Sequence, residues 1–303
     1  MTTNNEFFKE LTLTEVYPNT DILKMFARVD TKNPEYDSGT LMWSTEQDKI
    51  LKCLSAMDKD NQSDVITYRL KPYGVGRLWA VNSKGENSAS FQAMWNPIMR
   101  LVADSKLSEI DIVNCQVNIL NQLLIKYTHC KSLELENYVK NRDNTLANVM
   151  KEYNVTRAQA KDLFLIIMNG GTYKTWVTAH KLDKSKQPTQ EVYDFEKETE
   201  RIRTRTARSN FPDYEKFVRI AEEKYEDEME IWRNKNFKAR GLQPTNNILG
   251  SAIGLYLQNE ERAIMGRVHE YIVENGRTPV ALVHDAFIIK GPEDLDLESL
   301  TQF

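Results

Sequence analysis

Two aspartates carry the first suggestion of chemistry. Asp111 lies near the end of LSEIDIV (107–113), and Asp285 interrupts VALVHDAFIIK (280–290), a strand-like run that resumes at Phe287. If two strands of one sheet bring these carboxylates side by side, they repel each other unless cations lie between them. Magnesium suits such a site, because it takes oxygen ligands and keeps places for water and substrate phosphates. Two ions about 3.5–4 Å apart stabilise both the attacking and the leaving oxygen of an in-line phosphoryl displacement. The plainer alternative is that each aspartate is a turn or strand-end residue, where Asp is common.

A second candidate is cationic. Arg157 and Lys161 stand four apart on the stretch RAQAKDLFLIIMNGG, so they share one helical face, which Leu165 and Asn169 continue. Arg157 falls in the first turn, where the helix field favours anions, so this face suits a triphosphate. A solvated basic face is the alternative. In YGVGR (73–77), Gly74 and Gly76 permit close backbone approach and Arg77 follows at once, as an arginine laid on a nucleic-acid backbone would require; hairpin turns also use Gly-x-Gly. Ser88, Ser90, Gln92, Asn96 and Arg100 follow as further polar candidates, or as residues that merely face solvent. The run RIRTRTAR is basic on a helix and reads as a solvated face or a phosphate contact. Trp79, Trp95, Trp176 and Trp232 read as core rather than as base-stacking platforms, and His129, His180 and His269 show no ligand spacing. Neither a P-loop, a zinc motif nor a serine-nucleophile elbow is present.

The elements that must position these residues follow from periodicity. Residues 1–60 read as mostly helical and polar. Residues 64–82 alternate around a Gly-rich turn, which predicts a hairpin or short sheet. A strand over 107–113 precedes a helix from Gln116 to Tyr127. Thr156 and Gln159 form a capping box for a helix over 156–169, and Gly170-Gly171 stops it. Residues 190–240 are long, charged and helical. Residues 246–275 form a further helix, with Gly250 and Gly254 admitting a close neighbour; Gly276 ends it and Pro279 opens the last hairpin. A small sheet with a large helical insertion between its strands is an α+β arrangement.

The chain has 303 residues, enough for two or three lobes, with 41% hydrophobic and 28% charged residues. Its net charge of -4 argues against coating nucleic acid by bulk charge, though a local basic groove stays open. No apolar run reaches the roughly 18 residues of a membrane span, and the N-terminus lacks the pattern of a secretory signal. Cys53, Cys115 and Cys130 form neither a disulfide framework nor a zinc spacing. An intracellular, reducing location is expected, with no membrane partner.

Taken in order, these pieces resemble the family A DNA polymerases and the single-subunit phage-type RNA polymerases. YGVGR is similar to their T-x-x-G-R element, and Gln92, Asn96-Pro97 and Arg100 to the polar stretch after it. IDIVNCQVNIL (110–120) is similar to motif A, RAQAKDLFLIIMNGG (157–171) to the R-x-x-x-K…Y-G helix of the fingers, and NILGSAIGLYLQNEER (247–262) to the segment before motif C. VHDAF (283–287) is similar to motif C itself. The resemblance is strongest to the small divergent transposon-and-virus branch, whose polymerases often sit beside a helicase in a primase-like arrangement. It implies a right-hand core: a palm from 64–135 and 246–303 with an antiparallel sheet, inserted helical fingers from 136–245, and a reduced thumb or N-terminal cap from 1–63. Only about 70 residues precede the glycine–arginine turn and 18 follow Asp285, so no proofreading domain is expected and the chain reads as a module of a longer protein.

The implied reaction is DNA synthesis: a primer 3′-hydroxyl attacks the α-phosphate of a dNTP and pyrophosphate leaves. Asp111 and Asp285 are implied as catalytic metal ligands for two Mg2+ ions, with Mn2+ the alternative. Lys161 is implied as a catalytic residue that binds the triphosphate with Arg157, and His284 as one that orients the primer end. Gln116 and Asn169 fall at the nucleotide, and Arg77, Gln92, Arg100 and Gly170 against template–primer nucleic acid. The implied partners are template–primer, (d)NTPs and a helicase or other replication protein. Three positions depart from the pattern. Asn169 replaces the helix tyrosine. Gln116 stands where DNA polymerases carry a steric-gate Glu and phage-type RNA polymerases a glycine, and a bulky side chain there leans toward deoxynucleotides. Ala286-Phe287 is nearer the RNA polymerase form. RNA polymerase or primase activity is therefore the first alternative, and an inactive nucleic-acid-binding or structural subunit the second. A chance ordering of these motifs in an unrelated α+β protein is the third.

Overall fold

The structure, a computed structural model, describes residues 9–28, 40–85, 90–235 and 243–291, the side chains of 40–44 excepted. The chain divides into two compact units, Met1–Val113 with Glu261–Phe303, and Asn114–Glu260. The expected borders near 135 and 246 both fall inside the second unit.

Among the described residues, all the strands belong to the first unit. In chain order it contains β1 (Glu10–Val16), α1 (Thr20–Ala27), α2 (Thr40–Ala56), β2 (Ser63–Leu70), β3 (Leu78–Val81), α3 (Asn96–Ala103) and β4 (Leu107–Asp111). Two antiparallel three-stranded sheets form, β1-β2-β3 and one that β4 shares with the C-terminal hairpin described below. Residues 10–16 are thus a strand, not part of the polar helical segment expected over 1–60. Leu11, Leu13 and Glu15 occupy alternate positions, and the third, Glu15, is a fully buried carboxylate where an apolar residue would have made the period obvious.

The second unit is helical: α4 (Cys115–Thr128), α5 (Leu133–Tyr153), α6 (Arg157–Met168), α7 (Tyr173–Ala179) and α8 (Gln190–Arg201). A π-helical turn (Ile202–Thr206) carries α8 into α9 (Ala207–Asn210), and α10 (Tyr214–Asn234) follows. Its core is aromatic. Tyr138, Phe164 and Phe195 meet with ring centroids 4.6–5.3 Å apart, and the fully buried Trp176 donates its indole N–H to the Gln159 carbonyl at 2.8 Å. The basic run here is not one solvated face. Arg203 is buried in the π turn, where burial lowers its pKa, while Arg201 pairs with Glu198 and Arg208 with Glu215.

The 27-residue helix α11 (Ile248–Glu274) begins in the second unit and ends in the first, where β5 (Pro279–Val283) and β6 (Ala286–Lys290) complete the sheet in the order β4-β6-β5. β6 is buried on both faces. Phe287 and Ile289 join a core with Tyr68, Leu13 and Ile272, while Ile288 points into a second core with Tyr17, Phe91 and Ile98. That two-sided burial explains the unbroken apolar run AFII. A register shift after Pro279 puts Val280 and Ala281 in the same core. Among the described residues, no helix is long and apolar enough to cross a membrane.

Candidate active site

The two aspartates come together through strand register. β4 pairs with β6 so that Asp111 stands opposite Ala286, and the Ile112 N–H donates to the Asp285 carbonyl at 3.2 Å. Directly opposed residues in an antiparallel pair lie about 4.5–5.5 Å apart at Cα. Asp111 and Asp285 are therefore backbone neighbours at one end of a single sheet. Asp111 is exposed and Asp285 half-buried.

β5 and β6 are joined by only two residues, His284 and Asp285, with Val283 paired to Ala286. His284 has φ +57°, a conformation that a tight hairpin demands and that glycine usually supplies. A non-glycine residue there carries a cost of order 1–2 kcal/mol. The tip is held from behind. The Leu282 N–H donates to the Tyr68 hydroxyl at 3.2 Å, and Tyr68 in turn donates to Glu15. Glu15 also accepts from the Tyr17 hydroxyl at 2.8 Å and the Phe91 N–H at 2.9 Å. Burial pushes the Glu15 pKa from 4.5 up to about 7, against the pull of these hydrogen bonds.

Around the tip, Arg77 makes a two-pronged pair with Glu261 of α11, at 2.5 Å from Nε and 2.7 Å from Nη2, and Glu261 is 1% exposed. His284 meets Trp79 edge-on, with ring centroids 6.4 Å apart. Burial chiefly, then the nearby Arg77 charge, lowers the His284 pKa, while Asp285 opposes the shift. The imidazole is therefore neutral at pH 7.

Gln92, expected against nucleic acid, is instead a strand-to-strand tie. Its Oε1 accepts from the Ala80 N–H at 2.9 Å, and its Nε2 donates to the Leu78 and Leu282 carbonyls at 3.1 and 3.3 Å. Both amide hydrogens are thus engaged by backbone. Arg100 is exposed on α3.

The remaining candidates belong to the second unit. Thr156 and Gln159 complete both halves of the capping box of α6. Arg157, Lys161, Leu165 and Asn169 form an exposed stripe, and Arg157 pairs with the still more exposed Asp143 at 2.7 Å. Asn169 ends the helix with its side-chain amide donating to the Leu165 carbonyl, and the Asn247 amide donates to the Asn169 carbonyl at 2.7 Å. Gly170 has φ +83°, and a Cβ there would stand 2.6 Å from the Cα of Gly250. The expected close approach at Gly250 and Gly254 is thus to the end of α6. Gln116 lies in the first turn of α4, its Oε1 buried and without a hydrogen bond among the described residues.

Sequence reasoning overlooked Glu15 and Glu261 and read Trp79 as core. Trp79 and Trp95 are 38% and 40% exposed, so neither is the core residue expected. Strand alternation was the available signal for Trp79, since Leu78 and Ala80 on either side of it are the inward positions.

The donor chemistry fits magnesium, which proteins hold through one or two carboxylates with water and substrate phosphates completing the shell. Among the described residues, no cluster of three or more His, Cys, Asp or Glu forms a fuller cage.

No family model matches the sequence, and no curated protein does. Among solved structures the chain is similar to the POL domain of Pol1 from M. smegmatis, in complex with DNA primer-template and dNTP. The identity is 12% and the TM-score 0.46, over 96% of this chain and 53% of that one. This chain thus spans about half the length of that one, and a likeness of that depth assigns it neither activity nor ligand.

Proposed function

We propose that this chain is a template-directed nucleotidyltransferase that extends a primer 3′-hydroxyl with deoxynucleotides. The observation that carries the reading is the β4–β6 register, which makes Asp111 and Asp285 neighbours at the mouth of one sheet. On this reading the first unit supplies the palm and the second the fingers.

Asp111 and Asp285 hold Mg2+ with carboxylate oxygens. Bound there, the metal supplies charge neutralisation at the α-phosphate and a more acidic 3′-hydroxyl. The chain's own residues bind and orient. His284, neutral and braced by Trp79, offers one N–H and one acceptor to the primer end. Arg77 is fixed by Glu261 beside the tip and presents positive charge to the duplex backbone. Arg157 exchanges Asp143 for phosphate oxygens at small cost, since exposed ion pairs contribute only about 0–1 kcal/mol. Lys161, one turn on, adds a second charge. Positioning and fixed charge of this kind account for most of the rate in phosphoryl transfer.

The test is extension of a labelled primer–template with Mg2+ and either dNTPs or NTPs, for the wild type, Asp111→Asn and Asp285→Asn. The expected result is extension with dNTPs that both variants lose. Robust extension with NTPs alone reassigns the sugar preference. Extension unaffected by either substitution rules out the proposed centre, and no extension by the wild type favours a binding subunit.

A further inference from the structure

Beyond its contact with His284, Trp79 has a setting of its own. It faces Arg69 directly across the β2–β3 pair, and Lys71 lies two residues further along, just past the end of β2. The Lys71 ammonium sits 3.5 Å from the centre of the indole ring. Arg69, Lys71 and Trp79 line a groove of about 470 Å³ that Leu70, Pro72 and Gln92 help to wall. Among the described residues, no carboxylate lines this groove, although the chain as a whole has a net charge of -4. The nearest acid in register is Glu10, across β1–β2 from Arg69. Trp79 also meets His284, the residue before Asp285, in a T-shaped contact.

A half-solvated sheet exposes side chains as a matter of course, so one exposed indole means little. Here two cations flank an exposed indole that also meets the hairpin carrying Asp285. Stacking on an aromatic face with phosphates on neighbouring cations is how proteins hold unpaired nucleotides irrespective of sequence. An acidic peptide would satisfy the cations but leave the flat face unused.

We propose that this groove binds single-stranded nucleic acid, with one unpaired base stacked on Trp79 and the flanking phosphates on Arg69 and Lys71. Lys71 leaves the indole face for phosphate as the base enters. The site would hold the unpaired strand next to the tip, and in that sense it rests on the function proposed above.

The experiment is fluorescence anisotropy with a labelled single strand of about 12 nucleotides and a blunt duplex, without metal or nucleotide, across a salt series. It compares wild type, Trp79→Ala, Trp79→Phe and the double variant Arg69→Gln/Lys71→Gln. Trp79→Ala is expected to weaken single-strand binding by about 10- to 100-fold and leave duplex binding unchanged, whereas Trp79→Phe stays within about threefold. The double variant is expected to lower the log–log salt slope by about 1.4, for two phosphate contacts to a single strand. Three results overturn the proposal: Trp79→Ala binding the single strand within twofold of wild type, an equal loss on blunt duplex, or displacement by poly-glutamate as readily as by unlabelled oligonucleotide. The two proposals fail separately. A wild type that shows the Trp79 effect but extends no primer loses the polymerase reading and keeps the groove. An active polymerase with unchanged Trp79→Ala binding loses only the groove.

Discussion

Replacing Glu15 by glutamine isolates the buried proton behind the hairpin. Glu15 is fully buried, it accepts from Tyr17, Tyr68 and Phe91, and Tyr68 accepts from Leu282 of β5. The other ionisable groups acting on it are Asp64 of β2 and, through its thiol, Cys53 of α2. Burial raises its pKa from 4.5 to about 7, so between those values the folded chain keeps a proton that the unfolded chain has released. Unfolding free energy then falls as pH rises through that window. The contribution is complete below about pH 4.5 and gone above about pH 7. At roughly 1.4 kcal/mol per unit, the loss is about 3 kcal/mol. A glutamine side chain at this position mimics the protonated acid and does not titrate. Urea unfolding followed by far-UV circular dichroism, at steps from pH 4.5 to 8, reads the wild-type stability minus that of Glu15→Gln. Titrations of groups that do not interact with Glu15 cancel in that difference. It is expected to fall by about 3 kcal/mol across the window and then level off. A difference flat to within about 0.5 kcal/mol, or one that rises, would mean that the three hydrogen bonds outweigh desolvation and that Glu15 is ionised in the fold.

Further outcomes follow from the same geometry. His284→Gly and His284→Ala both remove the imidazole, but only Ala keeps a Cβ at φ +57°; in urea unfolding the Gly variant should be the more stable by about 1 kcal/mol, and primer extension should fall equally in both. Arg77→Met leaves Glu261 buried without its guanidinium partner and should cost about 3 kcal/mol, most of it restored in Arg77→Met/Glu261→Leu; extension by that double variant should stay low, because the charge offered to the duplex is still missing. Gly250→Ala would drive a methyl group into the Asn169 carbonyl, and a loss of about 1–3 kcal/mol is expected by thermal unfolding.

Much of the fold could be read from spacing. The capping box of α6, the glycines of α11 and the two-residue turn at His284-Asp285 are local signals, and each sits where its chemistry implied. The features that went unread depend on long-range burial. β1 was hidden because its third inward residue is Glu15, which is tolerable only with two tyrosines from distant positions around it. Arg203 looked like one more solvated arginine, yet the π turn rotates it inward. Gln92 looked like a polar residue awaiting a ligand, whereas its partners are carbonyls of β3 and β5 that no local pattern identifies. Trp79 is the reverse case: aromatic residues usually mark cores, and only its place between two inward residues shows that it faces out. The neighbourhood of Asp111 and Asp285 was a matter of resemblance until the register of β4 and β6 was known.

The central claim is that these two carboxylates share divalent cations, and a crystal of the wild-type protein soaked in Mn2+ tests it directly by anomalous scattering. The account predicts one or two manganese peaks within about 2.0–2.5 Å of oxygens from both Asp111 and Asp285, lost in Asp285→Asn. Manganese bound to neither aspartate, or carboxylates pointing to opposite faces of the sheet with no shared ion, would contradict it.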